Sequence, residues 1–315
     1  MTFTQLEYVI AVDQHRHFAK AAAACFVTQP TLSMQLHKLE KELGIQIFDR
    51  SKQPVVPTQA GVELIAHARK VINERNNLTD FLQLHKGIIA GDLRIGVIPT
   101  LAPYLLPLFI PAFTKKYSGI KLIITELTTE NIIEQLKEGR IDAGILVTPL
   151  NDPGIKELVL FYEEMMAYIS PKNKAYQKTY ILPQDIDPNK LWLLEEGHCF
   201  RTQIASLCQL RKASPEGSHF EYEAGSLETL RRLVEMYDGI TILPELATKE
   251  FTTRQKKLIR HFKKPVPMRE VSIVLHRDQA KKRMVDILRK EILKAIPEKI
   301  AKNKSSNVIP VEEQV

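Results

Sequence analysis

The stretch from Thr28 to Gly44 restricts the fold more than any other part of the chain. The Thr28 hydroxyl suits an N-cap, and Pro30 falls in a first turn, where its missing N–H costs little. Gly44 suits the stop. Between them Leu32, Leu36, Leu39 and Leu43 recur at i, i+4, i+7 and i+11. That spacing predicts a helix with one buried face, leaving Pro30, Ser33, Met34, His37, Lys38 and Lys41 outward.

The sequence before it reads as two shorter helices. Leu6, Val9, Ile10 and Val12 recur at helical spacing, and Phe18 to Cys25 is rich in alanine. The small side chains Ala19, Ala21, Ala22, Ala23 and Ala24 allow close helix approach, and Phe26-Val27 makes a tight connection, so a helix-turn-helix is expected. A recognition helix offers its first turns to base edges, which makes Gln29, Thr31 and Ser33 candidates for base contacts, with Gln35 beyond them. Lys38 would lie nearer phosphate, and Pro30 and Met34 could meet thymine methyls. Phe48-Asp49-Arg50 and Val55-Val56 read as two wing strands that would set Arg50 and Lys52 near a minor groove or backbone. A merely solvated polar face would explain the charges, but not the ordered series of cap, proline, leucine stripe and wing.

With 315 residues, 44% of them apolar, the chain can form two or three packed units. No segment is apolar enough for a membrane span, and the N-terminus lacks a secretory pattern, so the expected address is cytoplasmic. A net charge of +7 permits polyanion partners without demanding them. Three cysteines cannot make a disulfide scaffold; in a reducing compartment a disulfide would be transient and redox-sensing.

A long helix is expected from Pro57-Thr58 to about His85, roughly 40 Å. Its narrow apolar face (Val62, Ile65, Ala68, Ile72, Leu78, Phe81, Leu82) is best covered by a second copy, which predicts a homodimer. Lys86 to Asp92 has hinge composition. The segments 93–98, 105–117, 120–126, 129–139 and 141–147 then alternate as βαβαβ, predicting a parallel, doubly wound sheet. The chain crosses into a second α/β half near 163–169 and returns after 239–245, with a strand at 272–276 and a last helix from Ala280. The expected organisation is a DNA-binding domain at 1–57, a linker helix and hinge at 58–87, a two-subdomain effector domain at 88–297, and a poorly ordered tail at 298–315. A ligand crevice at strand ends points to Pro99-Thr100, Thr128-Thr129 and the Gly197–Phe200 segment.

His198 and Arg201 flank Cys199, at the entry to a helix expected over about 202–210. Both neighbours and the helix N-terminus favour a thiolate. A thiolate that attacks peroxide becomes a sulfenic acid that a second thiol can trap, and Cys208 is the obvious resolving partner. Across a helix the two Cα atoms would lie about 13 Å apart, whereas a disulfide needs about 5.5 Å. Closing the bond must therefore unwind or reorder that helix.

The run FAKAAAACFVTQPTLSMQLHKLEKELGIQIFDR followed by PTQAG resembles the winged helix-turn-helix of LysR-type transcriptional regulators. The fold implied is α/β, with a winged helix-turn-helix, a linker helix and an effector domain resembling periplasmic binding proteins. IPTLAPYLLP, GHCFR, Cys208, SLETLRRLV and GITILP extend the similarity over nearly the whole chain to the peroxide-sensing members of that family. That resemblance implies a peroxidatic Cys199 and a resolving Cys208, with Thr100, Thr129, His198 and Arg201 binding or polarising peroxide. It also implies a dimer of dimers on double-stranded operator DNA, contact with RNA polymerase when activating, and control of antioxidant genes. Thr202 stands where such proteins tend to carry aspartate, which puts a carboxylate-assisted proton transfer in doubt, and Thr4 replaces a basic residue that often touches DNA.

Rival readings are weaker. Cys25 has no charged neighbour and reads as a small core residue. Zinc ligation by Cys199, Cys208, His198 and His219 lacks compact ligand spacing. A thiol peroxidase would leave the DNA-binding region unexplained, and no GxSxG, Walker or GxGxxG pattern stands where an enzyme would need it. No enzyme activity, cofactor or metal is expected. The nearest rival is a LysR-type regulator that answers to a small organic ligand in the cleft.

Overall fold

The structure is a computed structural model that describes residues 1–85, 90–195, 199–208, 224–277, 281–304 and 307–311. Two compact units emerge, Met1–Ile89 with Lys137–Arg140, and Ala90–Leu136 with Ile141–Val315.

The first unit contains α1 (Phe3–His15), α2 (Phe18–Ala24), α3 (Gln29–Leu43), β1 (Phe48–Asp49), β2 (Val56–Pro57) and α4 (Gln59–His85). Helix α1 opens on a capping box between Thr2 and Gln5. In α3, Thr28 caps the first turn and Gly44 closes the last at φ +69°. Leu32, Leu36 and Leu39 are buried against Val9, Val12, Ala21, Ala22 and Phe48. Leu43 departs from the expected stripe and stays 36% exposed. The end of α3 is held by Glu40 instead, whose carboxylate accepts from Ile47 N–H at 2.9 Å and pairs with Arg50 at 2.8 Å. These contacts fasten α3 to β1.

The sequence PTQAG seats α4. The Thr58 hydroxyl donates to the Gln46 carbonyl at 2.6 Å and accepts from Gly61 N–H at 3.0 Å. A Cβ at residue 61 would collide with the Ile47 carbonyl, so only glycine permits this approach. The apolar residues of α4 split between two faces rather than forming one. Ala68 and Ile72 pack on Leu6 and Ile10 of α1, beside a buried Arg69–Asp13 ion pair at 2.6 Å, whereas Val62, Val71, Leu78 and Leu82 remain exposed.

The second unit runs β3 (Gly91–Val97), α5 (Ala102–Lys116), β4 (Ile120–Glu126), α6 (Thr129–Lys137), β5 (Ala143–Thr148), β6 (Ile155–Ile169), β7 (Tyr180–Ile181), α7 (Cys199–Leu207), α8 (Leu227–Met236), β8 (Ile240–Pro244), α9 (Thr253–Lys256), β9 (Ile259–Phe262), β10 (Met268–His276), α10 (Lys282–Ala295) and α11 (Glu298–Ala301). Its strands follow the order β4-β3-β5-β10-β6-β9-β7, with β8 also on β6. The doubly wound expectation holds for β4-β3-β5, which are parallel. Beyond them the sheet is mixed, because β10 runs antiparallel to both β5 and β6. The long strands β6 and β10 carry the chain between the two halves, and an apolar run carries no sign of its direction.

The tail expectation is corrected over its described part. Ile300 and Ile309 are buried, Met268 N–H donates to the Asn307 carbonyl at 3.0 Å, and Ile309 N–H donates to the Met268 carbonyl at 2.9 Å. Two apolar anchors amid polar residues hold this segment on β10, a pattern that composition alone hides.

Candidate functional site

Thr100 follows the carboxyl end of β3, Thr129 opens α6 and Cys199 opens α7, three residues before the expected helix start. All three are buried. Between them stands Arg269 of β10, a residue the sequence reading missed. Its side chain has no exposure, nor has that of Glu163 on β6, and Nε donates to Glu163 Oε1 at 2.7 Å. Nη1 donates to Thr100 Oγ1 at 3.2 Å and Nη2 to the Thr100 carbonyl at 3.3 Å. The guanidinium lies 5.0 Å from the ring centroid of Phe200, the residue after Cys199. Glu163 is completed by Leu246 N–H at 2.9 Å. A signal was present in the sequence: MREVSIVL and LFYEEMMAYI each set charge inside an apolar run, and opposite charges in two buried strands must find each other.

The expectation of a favoured thiolate at Cys199 is corrected. Burial pushes the thiol's pKa up, and the Thr129 hydroxyl, the Arg269 cation and the Phe200 N–H oppose that shift only in part, while Glu130 adds to it. The buried Thr129 hydroxyl has no fully formed hydrogen bond among the described residues. It nevertheless lies close enough to the sulfur to stabilise its anion. Thr129 can therefore donate to an incoming acceptor, and Thr100 keeps its own O–H while accepting from Arg269.

Arg201 is directed elsewhere, donating to the Leu194 carbonyl at 2.7 Å. His198 and His219 lie outside the described residues. Thr202 is half-buried on α7. Cys208 caps the far end of α7 through its N–H to the Ile204 carbonyl at 2.9 Å. Its half-buried thiol packs on the core around Phe200 and Ile204, and burial raises its pKa to about 11. Both thiols are free. Gln203, between them and fully buried, donates to the Ile309 carbonyl at 2.6 Å.

At the other end of the chain, Gln29, Pro30, Thr31, Met34, Lys38 and Arg50 are exposed, and Ser33 is half-buried. Arg50 is partly engaged, paired with Glu40 and 5.1 Å from the Phe18 ring centroid. The side chain of Gln35 accepts from Gln5 Nε2 at 3.3 Å, which draws it off the exposed face. No helix among the described residues is long and apolar enough to cross a membrane.

Residues 3–62 match the bacterial regulatory helix-turn-helix family of the lysR type, and residues 86–296 match the LysR substrate binding domain. The chain is 36% identical over 274 residues to the hydrogen peroxide-inducible genes activator of Dickeya chrysanthemi, covering 87% of this chain and 89% of that protein. Identity and both coverages are the same for the DNA-binding transcriptional dual regulator OxyR of Escherichia coli strain K12. The solved full-length OxyR C199D of Pseudomonas aeruginosa is 32% identical, with a TM-score of 0.77 and coverage of 93% of this chain and 98% of that one. With both characteristic domains matched and the likeness running nearly end to end, the chain belongs to the LysR family of DNA-binding transcriptional regulators and, within it, to the OxyR group.

Proposed function

We propose that the chain is a cytoplasmic peroxide sensor that reports oxidation of Cys199 to operator DNA. The observation that carries this reading is the buried polar cluster of Cys199, Thr129, Thr100 and the Arg269–Glu163 pair, with a second thiol at the far end of the same helix. Arg269, Glu163 and Phe200 are fully buried around Cys199, which leaves the thiol in surroundings suited to a ligand as small as peroxide.

In the proposed chemistry the Cys199 sulfur attacks one peroxide oxygen. The S–O bond forms, the O–O bond breaks, and the thiol proton leaves with the departing hydroxide as water. Thr129 and Thr100 orient the oxygens, and Arg269 stabilises charge on sulfur and leaving oxygen. The family likeness implies supporting roles for His198 and Arg201, and Arg201 would have to leave the Leu194 carbonyl to take its part. The Cys208 sulfur then attacks the sulfenic sulfur, forming S–S, breaking S–O and releasing a second water. Nine helical steps separate the two Cα atoms by about 13 Å, against the ~5.5 Å of a disulfide, so α7 must come apart for the bond to close.

The first 57 residues would read DNA through Gln29, Pro30, Thr31, Ser33, Met34 and Lys38, with Arg50 at the backbone. Residues 58–87 would dimerise through the exposed Val71, Leu78 and Leu82 stripe, spaced at seven and four residues, and residues 88–297 would sense. Two dimers would form the tetramer that engages RNA polymerase. The chain acts as a regulator in this reading, not as an enzyme. Peptide mass mapping after brief, near-stoichiometric peroxide treatment, with operator footprinting on the same samples, tests it. A Cys199–Cys208 disulfide and an altered footprint are expected; intact thiols with an unchanged footprint would refute it.

A further inference from the structure

Helix α2 ends in a closure in which Val27 N–H donates to the Ala22 carbonyl at 3.0 Å and Phe26 N–H to the Ala23 carbonyl at 3.1 Å. That pair of bonds requires a left-handed residue at position 26. Phe26 supplies it, at φ +56°. Glycine takes this conformation without penalty and asparagine tolerates it, whereas a bulky aromatic there is an outlier. The ring gains no burial in exchange: Phe26 is 96% exposed, more than any other large apolar side chain described. Local physics therefore disfavours phenylalanine twice over, once for its backbone and once for its surface.

We infer that Phe26 is a DNA-contacting residue whose ring lies against the deoxyribose faces of the strand bordering the groove that α3 enters. The inference rests on α3 being the helix that enters the groove. Residue 26 stands two positions before the cap of that helix, beside the exposed Thr28, Gln29, Pro30 and Thr31. The ring is thus continuous with the exposed residues assigned to DNA, at the edge where the sugar–phosphate backbone would run. Deoxyribose offers the apolar carbon surface that an aromatic ring can cover, and such a contact positions the protein without reading sequence.

The test uses the full-length reduced protein, with Phe26→Asn and Phe26→Ala compared against Gln29→Ala. Phe26→Asn should keep or raise the temperature of the first unfolding transition, because asparagine suits the left-handed site. Operator affinity should nevertheless fall about tenfold, the worth of a partly covered aromatic ring. Affinity for unrelated duplex DNA should fall equally, with the slope of log K against log salt unchanged, since no phosphate contact is lost. Affinity within twofold of the parent overturns the inference, and so does a drop of several degrees in melting temperature, which would mean the ring supports the fold. If Gln29→Ala is also silent, it is the placement of α3 that has failed; if only Phe26 is silent, the aromatic contact alone is wrong.

Discussion

Replacing Arg269 by methionine separates the structural work of the buried cation from its chemical work. The side chains of Arg269 and Glu163 have no solvent exposure and meet at 2.7 Å. Among the described residues, Arg269→Met leaves the Glu163 carboxylate with the Leu246 N–H alone, and orphaning one member of a buried pair costs about 3–5 kcal/mol. That is a large part of a typical ~5–15 kcal/mol domain stability. The double variant Glu163→Gln/Arg269→Met removes both charges while its amide oxygen can still accept from Leu246, so most of that loss should return. A coupling of about 3 kcal/mol is expected in a double-mutant cycle from urea unfolding. Peroxide reactivity should not return with stability. Without the cation the Cys199 pKa climbs further, and each unit costs about tenfold in thiolate at neutral pH. Stopped-flow oxidation of the double variant should therefore remain slower than the parent. A stable double variant oxidised at the parental rate would refute the assignment of Arg269 to the thiol, and an unimpaired single variant would refute the charge couple.

Because burial raises the Cys199 pKa, its oxidation rate should climb with pH through the neutral range with a log–log slope near one, and a plateau already reached at pH 6 would contradict that. The same sign applies to stability: Cys208, protonated in the fold to about 11, favours the native state below its unfolded pKa, and that contribution disappears as pH rises through the folded value, which alkaline unfolding of Cys208→Ser should reveal. His261, raised by its hydrogen bond to Glu164 at 3.0 Å, should titrate above 6.5 in a histidine NMR experiment and fall back in Glu164→Gln; its stabilising effect is present below pH 6.5 and fades as pH rises through the folded value. Truncation after Lys304 removes the Ile309 carbonyl that holds Gln203, so α7 should unwind more readily; the sulfenic acid should convert to disulfide faster while its formation is little changed, as quenched-flow mass analysis would measure.

Local physics made α3 and the wing readable. A cap, a proline, a leucine stripe and a glycine act within one or two turns, and Thr28, Pro30, Leu32 and Gly44 lie where that logic puts them. Long-range partnership was not readable. Leu43 looked core-facing because the stripe is blind to Glu40, whose partners come from residues 47 to 50. Arg269 reaches Thr100 across 169 residues of sequence, so no window contains both. The thiol shift at Cys199 depends on burial, which flanking residues do not report; His198 and Arg201 suggested activation, and enclosure outweighed it. The antiparallel course of β10 escaped detection for the same reason, since pairing direction belongs to partners and not to a single strand.

The couple Glu163–Arg269 sits on the two long strands, β6 and β10, that link the half-domains, and Arg269 also grips Thr100 at the end of β3. In mechanical terms this is a latch fitted across the hinge line. A clamshell that closes gradually on a ligand needs strands free to swivel, whereas a buried ion pair cannot be half broken: it either holds or leaves two uncompensated charges. The proposed switch would leave that frame in place and act through α7, nine residues long, with a thiol at its first position and another just past its last. If the switch works this way, the expected response is binary rather than graded, its sharpness set by the frame's resistance to bending.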